Sequence, residues 1–333
     1  MCKSGARGID ALYLLTMTAE HYFPRFGFAT LVRDNVPREI AESLKFASAC
    51  PASATVMTSS LERVANQWRT RGKQLHGLTH MRYALISDIH ANLHALDAVL
   101  TDIDQRGDID AVYHLGDLVG YSAYPNEVVD RLRERAIAGI AGNYDSTVGT
   151  DYKHCGCKVE NPQQEALAHI SYEFTKRAVT ASTTTFLATL PFSLDLRPLG
   201  GHVKGPRLVL VHGTPTLNTV YWTQDRSDEF CSTMAKNALL SPGDMIAFGH
   251  THKPWHREVE GIHFVNTGSV GRPKDGDPRA GYVLVDFAAN GPQIAFVRVT
   301  YDIAAAIAGV QDAGLPEEFA EFLRAGGLSS AAV

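Results

Sequence analysis

Met81-Arg82-Tyr83-Ala84-Leu85-Ile86-Ser87-Asp88-Ile89-His90 carries an apolar run straight into two metal-type side chains. Tyr83 to Ser87 has the unbroken apolar character of a buried strand, and Leu93, Leu96, Leu100 and Ile103 recur at helical spacing behind it. The same unit repeats. Ala111 to Leu115 ends in Gly116-Asp117, Ile137 to Ala141 in Gly142-Asn143, Leu208 to Val211 in His212-Gly213, and Met245 to Phe248 in Gly249-His250-Thr251-His252. Pro125 and Pro162 sit where proline suits the first turn of a helix, the second helix presenting Leu167, Ile170 and Phe174. Later the pattern becomes antiparallel: His256 to Glu260 and Ile262 to Val265 flank Gly261, and Tyr282 to Phe287 pairs with Ile294 to Tyr301 across Asn290-Gly291. The expectation is an α/β fold, a four-layer αββα sandwich of two mixed sheets, with a frayed tail from Gly326 to Val333.

In an α/β sheet the C-terminal strand ends converge on one crevice, so polar residues far apart in sequence can meet there. Alternation along an extended chain predicts that Asp88 and His90 share one side, and likewise His250 and His252. Four imidazoles, two carboxylates and an amide oxygen are too many for one tetrahedral ion. They suit two first-row cations a few ångströms apart, with Asp117 able to bridge both.

Composition bounds the alternatives. The chain has 333 residues, 45% hydrophobic and 20% charged, which excludes wholesale disorder. A formal net charge of -5 without a basic cluster excludes a dedicated nucleic-acid groove. The longest strongly apolar run, Ala11 to Met17, falls far short of the roughly 20 residues that span a bilayer, so no membrane partner is expected. Five scattered cysteines read as free thiols of a reducing, cytoplasmic compartment, His154-Cys155-Gly156-Cys157 included. Of the 14 histidines, His94, His114, His169 and His263 lack a partner motif and read as structural.

From Met81 to about Tyr301 the ordered motifs DxH, GD, GN, H and GHxH resemble the calcineurin-like metallophosphoesterase superfamily, specifically its small bacterial and archaeal phosphodiesterase-like branch. The resemblance implies a first metal on Asp88, His90, Asp117 and His252 and a second on Asp117, Asn143, His212 and His250. It implies two divalent ions, manganese first with iron, zinc or nickel as alternatives, and a bridging hydroxide attacking phosphorus in line. A phosphodiesterase acting on a small phosphate ester is the first reading. An asymmetrical dinucleoside polyphosphate hydrolase and a metal-bound interaction scaffold are the alternatives, and homo-oligomerisation stays open.

One residue departs from the family pattern. Where most members place a proton-donating histidine after GN, this chain has Tyr144, read either as a donor or as a ring packed over the metals. Asp117, Asn143 and Tyr144 are the catalytic candidates, and Arg272, with Lys274, is the candidate to meet a substrate phosphate. Tyr121, Tyr124, Tyr221 and Trp222 are read as packing groups or as a stack for a base.

The first 62 residues are expected to be separate, joined by a polar, basic linker over 63–80 to a phosphoesterase domain over 81–325. Leu12-Tyr13-Leu14-Leu15-Thr16, Ala19-Glu20-His21-Tyr22-Phe23, Phe26-Gly27-Phe28, Val36-Pro37 and Cys50-Pro51-Ala52-Ser53-Ala54 resemble the C-terminal part of a GNAT-type N-acetyltransferase of the arsenic-resistance-associated subgroup. The family's central strand and pyrophosphate-cradling loop have no counterpart here, so the resemblance implies a fragment unable to hold acetyl-CoA in the usual way.

Overall fold

The computed structural model describes residues 11–16, 28–41, 55–60, 80–156, 161–199, 205–288 and 291–327. The chain divides into two compact units, Met1–Leu78 and Thr79–Val333. In the first, β1 (Ala11–Thr16) and β2 (Ala29–Leu31) pair antiparallel with the two sides of β3 (Thr55–Ser60), and a short helix, α1 (Arg38–Ala41), lies between β2 and β3 in sequence. Val56 and Met57 of the middle strand are buried. The Ala19-Glu20-His21-Tyr22-Phe23 stretch and most of the expected linker lie outside the described residues.

The second unit holds the phosphoesterase-like pattern. Its first sheet runs β13-β12-β4-β5-β6 and its second β10-β11-β9-β8-β7. The members are β4 (His80–Ile86), β5 (Ala111–His114), β6 (Ala138–Gly139), β7 (Ser193–Leu196), β8 (Leu208–Val211), β9 (Met245–Phe248), β10 (Trp255–Val259), β11 (Ile262–Asn266), β12 (Ala280–Ala288) and β13 (Gly291–Val299). Both sheets are mixed. β4, β5 and β6 are parallel, as are β8, β9 and β11, while the late hairpins β10-β11 and β12-β13 add antiparallel edges. β7, which the sequence reading missed, pairs antiparallel with β8.

Three apolar layers result. Leu85, Val283, Val285 and Phe287 of one sheet meet Leu208, Leu210, Met245 and Ala247 of the other. Outside the first sheet pack α2 (Leu93–Arg106), α3 (Pro125–Glu134), α4 (Asn143–Gly149), α5 (Pro162–Ala178), α6 (Ala181–Thr189), α8 (Ile303–Asp312) and α9 (Glu317–Ala325). Outside the second, α7 (Asp228–Asn237) covers Trp222, Phe248 and Phe264. This is the expected four-layer sandwich.

Some local expectations change. α5 turns Ala168, Ser171, Tyr172 and Thr175 inward and leaves Ile170 exposed, because the face is set by the small and hydroxylated residues that fit beneath it. Gly326 is buried, its left-handed backbone caps α9, and its carbonyl accepts from Gly276 N–H at 2.9 Å; the rest of the expected tail, 328–333, lies outside the described residues. Cys155 is disulfide-bonded, which corrects the reading of free thiols in its loop, whereas Cys231 carries a buried free thiol. Among the described residues no helix is long and apolar enough to cross a membrane.

Candidate dinuclear metal centre

The parallel strands β4 and β5 stop pairing as sheet, yet the segments after them stay zipped together. Asp88 N–H donates to the Gly116 carbonyl at 3.0 Å, His90 N–H to Asp117 at 3.0 Å and Ala91 N–H to Leu118 at 2.8 Å. The backbone there is not extended. Asp88, His90, Asp117, His250 and His252 all take positive φ, between 50° and 67°, so strand alternation is not what aims these side chains. Non-glycine residues in this region are uncommon and concentrate at functional sites.

Two glycines of the motifs are there for lack of a side chain. A Cβ on Gly142 would lie 2.1 Å from Asp117 Oδ1, and one on Gly249 would lie 2.3 Å from Asp88 Oδ2. Each carboxylate therefore rests on a bare Cα. Tyr144 N–H donates to Asp117 Oδ1 at 2.9 Å and His250 N–H to Asp88 Oδ2 at 3.0 Å, which fixes both carboxylates from outside.

The histidines are fixed the same way. His90 Nδ1–H donates to the Val119 carbonyl at 3.1 Å, His212 Nδ1–H to Leu115 at 2.8 Å, and His252 Nδ1–H to Arg272 at 2.5 Å. With the proton on Nδ1, each ring turns the lone pair of Nε2 inward, the usual outer support of a ligating imidazole. Asn143 is oriented by its Nδ2–H, which donates to the Cys155 carbonyl at 2.9 Å, leaving Oδ1 facing His212 Nε2 at 3.1 Å.

Two buried groups of inward atoms follow, Asp88, His90 and His252 in one and Asp117, His212 and His250 in the other. Asp117 reaches toward both, its Oδ2 standing 3.4 Å from His212 Nε2 and 3.8 Å from His90 Nε2. His90 and His252 present their Nε2 atoms 3.1 Å apart, and His250 Nε2 is buried without a hydrogen-bond partner. Nε2 atoms turned on one another, beside a further one that is buried without a partner among the described residues, fit a pair of divalent cations.

The charges agree. Burial, then the neighbouring His252, pushes the His90 imidazole down to about 3, and burial, then His212, does the same to His250. His252 is held well below its ordinary value by burial and by the Lys274 and Arg272 charges. These three rings are neutral at neutral pH, the form in which an imidazole can hold a cation. Burial would lower His212 too, but Asp117 and then Asp88 outweigh it and raise it to about 10; reciprocally, against the burial that would raise it, His212 holds Asp117 well below the carboxylate range. In the metal-free chain a proton on His212 thus takes the place of positive charge that an ion would bring.

Asp145, which the sequence reading passed over, accepts from Gly142 N–H and Leu118 N–H at 2.9 Å each and so ties the GN turn to the GD turn. Its acid is raised to about 7 by burial and by Asp117. The signal was the Asp at the third helical position after Gly142, where a carboxylate caps a helix start.

Tyr144 is wholly buried beside the first group, its ring edge-on to His90 at 5.8 Å, and its hydroxyl is hydrogen-bonded to Ser171 Oγ at 3.0 Å. Among the aromatic candidates, Trp222 stacks on Phe248 at 4.3 Å in the core and Tyr124 meets His94 edge-on. Tyr121 and Tyr221 border the centre: Tyr121 meets His90 at 5.1 Å and Tyr221 meets His250 at 4.3 Å. Arg272 is half-buried, with its guanidinium between the Tyr121 and Phe322 rings. His114 is buried in the core, His169 is exposed, and His263 stacks on His256; none joins either group.

The profile of the calcineurin-like phosphoesterase superfamily domain matches residues 81–290. The uncharacterized protein MJ0912 of Methanocaldococcus jannaschii is 32% identical over 259 residues, covering 72% of this chain and 96% of that protein. The chain belongs to the calcineurin-like phosphoesterase superfamily. Among solved structures, a metallophosphoesterase from Sphaerobacter thermophilus is 29% identical, with a TM-score of 0.57 and coverage of 74% of this chain and 99% of that one. The hypothetical protein PH1004 from Pyrococcus horikoshii OT3 shares the fold at 22% identity and a TM-score of 0.63, over 75% of this chain and 100% of that one. Calcineurin-like phosphoesterases are thus the setting for the two groups described above, and a metal-dependent phosphoester hydrolase is the activity class the family suggests.

Proposed function

We propose that the protein is a phosphodiesterase with two divalent cations, held by Asp88, His90, Asp117 and His252 on one side and by Asp117, Asn143, His212 and His250 on the other. The observation that carries this is the convergence of buried Nε2 atoms on two carboxylates: those of His90 and His252 are turned on each other by carbonyls behind the rings, and that of His212 bears its proton where an ion would bring positive charge. When bound, such ions lower the pKa of water toward neutrality and take up charge on the nonbridging phosphate oxygens. Everything else falls to the chain. Asp117 sits between the groups and its place is held by the Tyr144 amide; Asn143 keeps an oxygen, not its amide hydrogens, toward the centre because Cys155 takes the latter.

Tyr144 shapes this centre in the proposal and does not donate a proton to the leaving group, since its hydroxyl is engaged with Ser171 and burial raises its pKa well above 10. Aryl diesters, which leave without acid assistance, are the substrates on which such an enzyme is first seen to act. Manganese as the metal and a cytoplasmic setting are carried in the same reading, as is an acetyltransferase-like origin for the front unit.

The test is turnover of bis(p-nitrophenyl) phosphate with manganese, magnesium, zinc or nickel supplied to chelator-stripped protein. Metal-dependent release of nitrophenolate that Asp117→Asn abolishes supports the reading. Absence of turnover with every metal, while both ions bind, favours the scaffold instead.

A further inference from the structure

Arg272 differs from the arginines around it. Arg82 pairs with Asp286, Arg279 with Asp277 and Arg298 with Asp275. Asp275 and Asp277 lie within five positions of Arg272, yet among the described residues its guanidinium meets no carboxylate and no hydrogen-bond acceptor. Instead it lies 3.9 Å from the centroid of the Tyr121 ring and 3.6 Å from that of Phe322, between two aromatic faces. A cation flanked by rings gains from both faces but has given up water to do so, and a charge held without a counter-ion is costly.

The clamp is built from distant parts. Tyr121 follows the GD turn and is itself backed by Phe319, at 5.6 Å edge-on, while Phe322 lies one turn further along α9. Gly327 N–H returns to the Phe322 carbonyl, which closes the helix end behind it. The orientation of the planar fork is therefore set before any ligand arrives.

Its position says which ligand group it meets. The reacting phosphoryl group belongs where the Nε2 atoms converge. Arg272 borders the first group and is not one of its inward atoms: its carbonyl receives the outward-facing Nδ1–H of His252, and its guanidinium rests on the Tyr121 ring, which itself meets His90 edge-on.

Resting on the phosphodiesterase reading, we infer that Arg272 receives a second, non-reacting acidic group of the substrate, so that the preferred substrate is a diester bearing a further phosphate near the scissile one. The stacked rings are the mount of that receptor. Tyr121 is consequently not a free face on which a nucleobase can stack.

The experiment compares wild type with Arg272→Met, which keeps the length between the rings and removes the charge. Thymidine 5′-(p-nitrophenyl phosphate) and its 3′-phosphorylated form serve as substrates, with thymidine 5′-phosphate and thymidine 3′,5′-bisphosphate as ligands for thermal unfolding. In wild type the 3′-phosphate is expected to lower KM by roughly tenfold or more, the worth of hydrogen bonds to a charged group, with kcat nearly unchanged. Arg272→Met should erase that difference, the 3′-phosphorylated diester losing roughly tenfold or more in KM relative to the plain one. The bisphosphate should raise the Tm of wild type above the level reached with the monophosphate, and should not do so in the variant, whose ligand-free Tm is equal or higher.

A KM increase of the same size for both diesters overturns the inference, because the guanidinium then meets the reacting group. So does a variant that melts lower without ligand yet keeps the extra bisphosphate stabilisation, because Arg272 is then a packing residue. If wild type hydrolyses neither diester while the bisphosphate shift is present and depends on Arg272, the receptor stands and the phosphodiesterase reading falls.

Discussion

His90 and His252, 162 positions apart in sequence, turn Nε2 lone pairs on each other at 3.1 Å while both Nδ1 protons are committed to backbone carbonyls. Two neutral acceptors at that distance repel unless a cation lies between them. His252→Ala is therefore expected to lower bound metal from two equivalents to about one, and Asp88→Asn to do the same. Elemental analysis after gel filtration checks it; a variant that retains both ions would show that the pair is merely packed.

Asp117 has a stronger effect because its Oδ2 faces imidazoles of both groups. Asp117→Ala should lose both ions, and activity should fall by roughly 10³-fold or more, as several kcal/mol of charge stabilisation disappears. Loss of a single equivalent would place the carboxylate on one ion only.

For Tyr144 the expected outcome is a uniform change. Ser171 Oγ accepts from Tyr121 N–H as well as meeting the Tyr144 hydroxyl, so Tyr144→Phe loosens one link of a structural chain. Rates across a series of leaving groups should shift together, by less than about tenfold, below the 10² usual for lost acid catalysis. A steeper dependence on leaving-group pKa in the variant would restore Tyr144 as a donor.

His114 is predicted to be a liability. Neither ring nitrogen has a hydrogen-bond partner among the described residues, and Gly139 lies so close that a Cβ there would stand 2.3 Å from the ring. His114→Leu should stabilise the fold by about 1 kcal/mol or more, the cost of an unsatisfied buried polar group. Burial lowers the folded pKa to about 3, against roughly 6.5 unfolded. The unfolded chain thus binds the extra proton, and the native state loses stability as pH falls from about 6.5 toward 3. Urea midpoints at pH 7 and pH 5 should differ less for His114→Leu than for wild type; equal differences would mean the ring finds a partner.

Residues 79–333 alone should fold and turn over the same diesters, since β4 begins at His80 and both ligand groups lie beyond it. Circular dichroism and the nitrophenolate assay decide this. An insoluble or inactive product alongside an active full chain would give the front unit a part in the fold.

The ligand-type residues were legible because each followed an apolar strand, and strand ends in an α/β sheet meet. What aims them was not legible, since residues such as Asp88 and His250 carry no mark of positive φ. Arg272 was ambiguous for another reason: its clamp depends on Phe322, fifty positions on, in a helix the sequence reading did not resolve. α6 was missed because Thr183, Thr184 and Thr185 favour strands; Thr184 and Thr185 are held by hydroxyls donating to carbonyls four residues back, and the helix is capped by Thr180. β7 was missed because Ser193 to Leu196 is a four-residue edge with half its side chains exposed.

The left-handed turns at Asp88, His90, Asp117, His250 and His252 set fitness for durability against fitness for work. At each of them glycine would suit the backbone better, and at none could glycine supply a ligand. Laboratory evolution of this chain for heat resistance alone should therefore drift toward glycine or asparagine at these five positions, arriving at a hardier protein that no longer holds metal, whereas selection that also scores turnover should leave them untouched and find its gains in the outer helices.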